Sequence, residues 1–241
     1  MNRRDFNRKS VLLGMGVFTG GCSPLSSREE PREKKPAPGS YREPSRDLPV
    51  RTFDVVIAGG GTGGVVAALA AAGQGARTML CEIKGYTGGT AVEGGTALHS
   101  FYNLWKAFPG VEKRQVVRGL PQKIIDRLMK AGGTSGHAGM VKGYDYDSVC
   151  TAIDTELYKL TTMEMLAEAG VHLAVNTRVV DAVREGGRIK GVVTESRSGR
   201  EFVAAQAFVD CTAYGDLSAF AGADYTVPND YASCNSIGLA N

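Results

Sequence analysis

Residues 53–82, FDVVIAGGGTGGVVAALAAAGQGARTMLCE, leave the chain few folding options. A short apolar run, Val55-Val56-Ile57-Ala58, meets a block of five glycines broken only by Thr62. An alanine-rich stretch follows, then a second apolar run that closes on Glu82. This order predicts strand over residues 53–58, tight turn, helix over 62–72 ending at Gly73, and strand over 77–82: the first βαβ unit of a dinucleotide-binding sheet. Gly59, Gly61 and Gly64 meet the spacing G-x-G-x-x-G. The first allows a sharp exit from the strand. The second has no Cβ, so that a pyrophosphate can approach the backbone, and the third lets helix and strand pack closely. Thr62 and Gly63 lie between them, where free N–H groups and the helix dipole favour an anion. Glu82 stands 21 residues past Gly61. At a strand end, a carboxylate can accept both hydroxyls of an adenosine ribose and repel a 2′-phosphate, which argues against NADP.

Charge is uneven. Residues 1–51 hold 11 of the 28 Lys/Arg and 6 of the 25 Asp/Glu, a net of +5, leaving −2 for the remainder. A body that close to neutral has no basic stripe for nucleic acid, so no nucleic-acid partner is expected. The five cysteines show no C-x-x-C spacing and no clustered histidine, which speaks against a metal site. Cys81 and Cys211 sit in apolar runs and read as small buried hydrophobes.

The first 22 residues read as an export signal. Arg3-Arg4 precede Phe6 and further basic residues, then residues 11–21 are apolar, glycine-rich and uncharged. Eleven such residues are too few to span a bilayer but suit a signal core. The pattern resembles a twin-arginine signal, a route that carries folded proteins. Thr19-Gly20-Gly21 before Cys22 is similar to a lipoprotein cleavage site, with Thr19 where such sites usually carry Leu. A lipidated Cys22 would tether the chain to an envelope membrane. Residues 23–50 hold six of the nine prolines and many charges, and read as a disordered spacer.

Residues 84–96, KGYTGGTAVEGGT, form a loop too glycine-rich for helix or strand, able to wrap a second length of ligand. Further helices are expected over residues 120–131, with Ile124, Ile125, Leu128 and Met129 on one side, and from a cap at Asp147 or Ser148 to about Ala169. The second would bury Val149, Ile153, Leu157, Leu160, Met163 and Ala167, with Gly170 as its stop. A strand over 171–176 precedes three alternating runs, 178–184, 189–195 and 201–205, joined by glycine turns: a three-stranded β-meander. A buried strand, Ala207-Phe208-Val209-Asp210, closes the pattern. The expected fold is therefore α/β, with a Rossmann-like parallel sheet and a meander in place of a crossover helix.

The string from Gly59 to Gly95 resembles the amino-terminal motif of glutathione-reductase-like flavoproteins, most closely the branch called the FAD-dependent oxidoreductase family. The resemblance implies FAD as cofactor. It places Gly88, Gly89 and Thr90 against the pyrophosphate and ribityl region, and a backbone group at Val179 against the adenine. The meander is a second match, because plain NAD dehydrogenases lack it. The third is Asp210-Cys211-Thr212-Ala213-Tyr214-Gly215-Asp216, similar to the family's loop over the cofactor phosphates. Ala213 and Tyr214 depart from its Gly and Asp, while Asp216 is kept. Such flavoproteins continue into a substrate domain, and residues 236–240 resemble its entry. Residues 51–241 are thus expected to be the amino-terminal part of an FAD-binding domain, with the substrate domain apparently absent. The implied activity is hydride transfer between flavin and an unknown small-molecule substrate. Two rivals stay open: a non-catalytic FAD-binding remnant and an NAD-binding dehydrogenase module. No catalytic residue is assigned. His99 follows the glycine loop and could lie near the flavin, His172 reads as structural, and His137 reads as a solvated loop residue.

Overall fold

The computed structural model describes residues 39–93, 98–99, 115, 117–137 and 151–226. The twin-arginine stretch, Cys22, Gly94 to Thr96, Asp147, Ser148, Val149 and residues 236–240 lie outside them. The chain forms two units, Met1–Arg46 and Asp47–Asn241. In the first, residues 39–46 are exposed and Arg46 pairs with Glu43 at 2.6 Å. The second contains every regular element among the described residues.

Its centre is a four-stranded, all-parallel sheet: β2 (Val55–Ala58), β3 (Thr78–Cys81), β6 (His172–Ala174) and β10 (Ala207–Asp210), in the order β10-β2-β3-β6. Ala58 pairs with both Asp210 and Cys81, so the three strands end in line. The strands read as continuous apolar runs because both faces are covered. Side chains alternate between those faces. Ile57 and Leu80 pack with α1 (Thr62–Gly73), α2 (Leu120–Lys130) and α3 (Thr155–Glu168) through Val65, Leu69, Ile124, Leu128, Tyr158 and Leu166. Val56, Ala58, Met79 and Cys81 face the opposite way, onto Val179, Val192, Val203 and Leu217. Fully burying a valine, leucine or isoleucine side chain contributes about 1.5–3 kcal/mol, so these two layers dominate the stability of the unit.

The second layer is the meander, β7 (Arg178–Glu185), β8 (Arg188–Ser196) and β9 (Gly199–Ala204), with α4 (Asp216–Phe220) beside it. Gly186, Gly187 and Gly199 adopt positive φ at its turns. A short edge strand was not legible in the sequence. β1 (Val50–Thr52) pairs parallel to β9 on the meander edge, with Val50 opposite Phe202. The spacer therefore gives way to structure before residue 50 is passed, since Phe202 N–H already donates to Pro49 O.

Helix α3 differs from expectation in start and phase. It begins at Thr155, because the Asp154 carboxylate accepts from Glu156 N–H at 3.0 Å and Leu157 N–H at 2.9 Å. Before it, β5 (Thr151–Ala152) pairs antiparallel with β4 (Leu98–His99), where Thr151 and Ile153 are buried at period two. The buried helical face is Tyr158, Thr161, Thr162 and Leu166. The expected Leu160 is 54% exposed and Ala167 is also exposed. Two buried threonines shifted the stripe by about one residue from the one that aliphatic side chains alone mark. Gly170 does stop the helix, at φ +72°. On α2, Ile124, Ile125 and Leu128 are buried, whereas Met129 is 45% exposed. Cys81 is buried, which pushes its thiol up to about 12, while Cys211 is only half-buried.

Candidate cofactor-binding site

The strand β2 ends at Ala58, and the chain must turn within a very narrow space. Gly59 has φ +97°, and a Cβ there would lie 2.4 Å from Cys211 O. A Cβ on Gly64 would lie 1.8 Å from Gly59 O, so the third motif glycine is fixed by helix-to-turn packing. Gly60 is constrained as well: a Cβ would sit 2.9 Å from the Glu82 side chain, a constraint the motif spacing does not mark. Gly61 and Gly63 behave differently. A Cβ at Gly61 would find nothing nearer than Gly89 Cα at 3.9 Å, and one at Gly63 nothing within 4 Å. Among the described residues, nothing fills that space. The bare backbone faces a cavity of about 710 Å³.

Gly61, Thr62 and Gly63 line this cavity where α1 begins. Gly61 is its N-cap, no side chain caps the helix, and the first turn carries no acidic residue. The first N–H groups of a helix have no intrahelical acceptor, so this end of the cavity suits an anion.

Glu82 continues β3 and is 7% exposed, with a wall of the cavity formed by its side chain. Its Oε2 accepts from Gly60 N–H at 2.6 Å and its Oε1 from Lys84 N–H at 2.7 Å. Each oxygen keeps a second lone pair, so the carboxylate can still take two hydroxyl donors.

Gly88 and Gly89 bring the second glycine loop against the first. Gly88 N–H donates to Gly60 O at 2.9 Å, and Gly61 and Gly88 form a parallel bridge. Gly89 has φ +54°, and a Cβ there would lie 2.9 Å from Gly61 Cα. Gly89 and Thr90 line the cavity, whereas Gly88 and Gly64 do not; these two shape the turns behind it.

The opposite wall comes from the start of β7 and the exit of β10. Val179 lines it, beside Thr177 and Arg178. Asp210 organises the exit loop: Oδ1 accepts from Thr212 N–H and hydroxyl, and Oδ2 from Ser218 N–H and hydroxyl. Burial raises its pKa, but these four bonds outweigh it and hold the carboxyl below its ordinary value. Thr212 Oγ1 in turn accepts from Asp216 N–H at 2.7 Å, and Asp216 reaches the cavity. Tyr214, where the family pattern has Asp, is 91% exposed yet also borders it.

Lys84, Tyr86 and Glu93 line the cavity and were not singled out in the sequence. Tyr86 hydroxyl donates to Glu93 Oε1 at 2.7 Å, which lowers the Glu93 pKa and raises that of Tyr86. Their only sequence signal is their place at the two ends of the glycine loop. Neither His137 nor His172 lines the cavity. His99 has its backbone in β4 and its side chain outside the described residues. His137 is not solvated as expected: its ring bonds Thr151 Oγ1 at 2.6 Å and Gln122 Oε1 at 2.7 Å, and burial lowers its pKa. His172 stacks on Phe53 at 5.5 Å, with the Arg51 guanidinium 3.5 Å from Nδ1. Among the described residues, no group of three or more His, Cys, Asp or Glu is placed to hold a metal ion.

A parallel sheet with a glycine turn at its carboxyl edge, an acidic residue on the next strand and a meander over one face defines a Rossmann-type dinucleotide-binding domain. The family model described as FAD dependent oxidoreductase matches residues 54–236. The chain belongs to that family, and its cofactor is FAD. Among curated proteins, it is 31% identical over 188 residues to a digeranylgeranylglycerophospholipid reductase of Methanospirillum hungatei, covering 74% of this chain and 42% of that one. It is 34% identical over 117 residues to a digoxin reductase of Eggerthella lenta, covering 46% of this chain and 21% of that one. The chain thus spans less than half the length of either. A geranylgeranyl bacteriochlorophyll reductase-like protein from Thermoplasma acidophilum superposes with a TM-score of 0.49 at 16% identity, over 72% of this chain and 42% of that one. A myxobacterial chondrochloren halogenase gives 0.46 at 20%, over 67% and 37%.

Proposed function

We propose that the chain binds FAD in this cavity and serves an oxidoreductase that moves a hydride between the flavin and a small organic substrate. The observation that carries the reading is the bare backbone at Gly61 and Gly63, which leaves open space at an uncapped helix N-terminus with the Glu82 carboxylate in the same cavity. Gly61, Thr62 and Gly63 would hold the pyrophosphate, with Gly89 and Thr90 on its other side. Glu82 would hold the adenosine ribose, and Val179 would lie at the adenine. The Asp210 network would set the loop that presents Asp216. Bound FAD supplies the redox-active ring, while these residues bind and orient it. Both matched curated relatives are named reductases, which favours reduction of an organic acceptor as the physiological direction.

We also propose export through a twin-arginine signal in residues 1–22, with envelope tethering through Cys22. Among the described residues, no helix is long and apolar enough to cross a membrane. Globomycin-sensitive processing with acyl labelling of Cys22 tests the tether; processing elsewhere, or none, refutes it.

The activity is tested by anaerobic mixing of the flavin-loaded chain with a panel of organic donors, followed by visible absorbance, and of the reduced chain with organic acceptors. Bleaching or recovery by one of them supports the reading. A bound flavin that dithionite bleaches but no organic compound affects would refute catalysis by this chain.

A further inference from the structure

The second glycine loop is held in place from behind, by residues outside the cavity and outside any motif. Thr87 directly precedes Gly88, is fully buried, and its hydroxyl lies 2.7 Å from that of Thr162 on α3, also fully buried. Both hydroxyls of the pair find an acceptor when that of Thr162 donates to Tyr158 O at 2.9 Å or Lys159 O at 3.1 Å. In that arrangement the Thr162 oxygen accepts within the pair and Thr87 donates. One turn earlier on α3, the Lys159 ammonium stands 4.2 Å from the centroid of the Tyr86 ring. Tyr86 closes the loop by donating to Glu93, whose N–H donates to Gly89 O at 3.0 Å. Residues 86–93 are thus tied end to end and pinned to α3 at two points. The residues so held, Gly88 and Gly89, have φ of +126° and +54° and are among the loosest that a chain can carry.

We propose that Thr162 and Lys159 are positioning residues for the cofactor: by ordering the glycine loop in advance, they remove an ordering cost that binding would otherwise bear. This rests on the FAD reading above. Neither residue lines the cavity, so their effect on binding passes through the loop.

The test strips flavin from the purified 241-residue chain and titrates FAD into the wild type, T162V, T162S and K159M, following flavin fluorescence, with urea unfolding of each apo-protein alongside. Valine keeps the shape of threonine and removes the acceptor of the Thr87 hydroxyl. T162V is expected to raise the FAD Kd about five- to tenfold, the size of one net hydrogen bond, with T162S within about twofold of the wild type. K159M should weaken FAD about twofold to fivefold, the weight of one partly exposed cation–π contact. A T162V chain with a lower unfolding midpoint and an unchanged Kd shows packing alone and overturns the inference. Should T162V not fold, K159M decides, since an unchanged Kd there overturns it equally. A wild type that takes up no FAD instead sinks the reading on which the inference stands.

Discussion

Replacing Gly61 and Gly64 separately by alanine should divide cofactor binding from folding. At Gly61 the backbone has φ −66° and ψ −174°, which alanine adopts freely, and the new methyl would meet nothing closer than 3.9 Å. Alanine is a poorer N-cap than glycine by about 0.5–1 kcal/mol, but it restricts the unfolded chain by about 0.4–1 kcal/mol. The two effects nearly cancel, so the apo-protein should keep its stability within about 1 kcal/mol. Its methyl would nonetheless occupy the face where a phosphate must approach the backbone. Losing one charge-assisted hydrogen bond costs about 1.5–3 kcal/mol, so FAD affinity should fall about ten- to hundredfold. At Gly64 the methyl would lie 1.8 Å from Gly59 O, well inside van der Waals contact. The helix must move off the sheet, and the cost should reach about 3 kcal/mol or more, at the upper end for overpacked cores. Urea unfolding of stripped protein reads the first quantity, and flavin fluorescence titration the second. Equal destabilisation by the two variants, or a G61A chain that binds FAD as the wild type does, would refute the division of labour between the glycines.

Other outcomes follow from the same geometry. Burial lowers the folded pKa of both His137 and His172, so their contribution to stability is complete above about pH 6.5, the unfolded value, and is lost as pH falls from there toward the folded values; the urea midpoint should drop between pH 7.5 and 5.5, and a rise would contradict this. D210N should destabilise the exit loop by about 1–2 kcal/mol, because an amide cannot accept at both ends from the Thr212 and Ser218 donors, and chemical denaturation checks it. On α3, L160E should change stability by less than about 0.5 kcal/mol while L166E prevents folding, since Leu160 is 54% exposed and Leu166 fully buried; the opposite order would favour the stripe of aliphatic residues read from the sequence.

The glycine turn and the meander were legible because each depends on local rules. Glycines at fixed spacing mark a backbone path, and alternation between turns marks antiparallel strands. The strand β10 was read to the residue for the same reason. The face of helix α3 is not legible from its aliphatic residues, because Thr161 and Thr162 are buried and Leu160 is not. β1 was hidden because three residues on a sheet edge leave no period to detect. At the site, Gly59, Gly61, Thr62, Gly63, Glu82, Gly89, Thr90, Val179 and Asp216 meet around one cavity. Gly60, Tyr86 and Glu93 could not be anticipated, because their roles depend on how two distant glycine loops meet.

FAD in the glycine-lined cavity is the state from which every binding outcome above follows. Denaturing the purified chain and separating what it releases tests this most directly. The predicted result is FAD, approaching one per chain, in a yellow preparation that loses its colour on stripping and regains it when FAD is added back. A colourless preparation that releases NAD, or releases nothing and takes up no FAD, would contradict it.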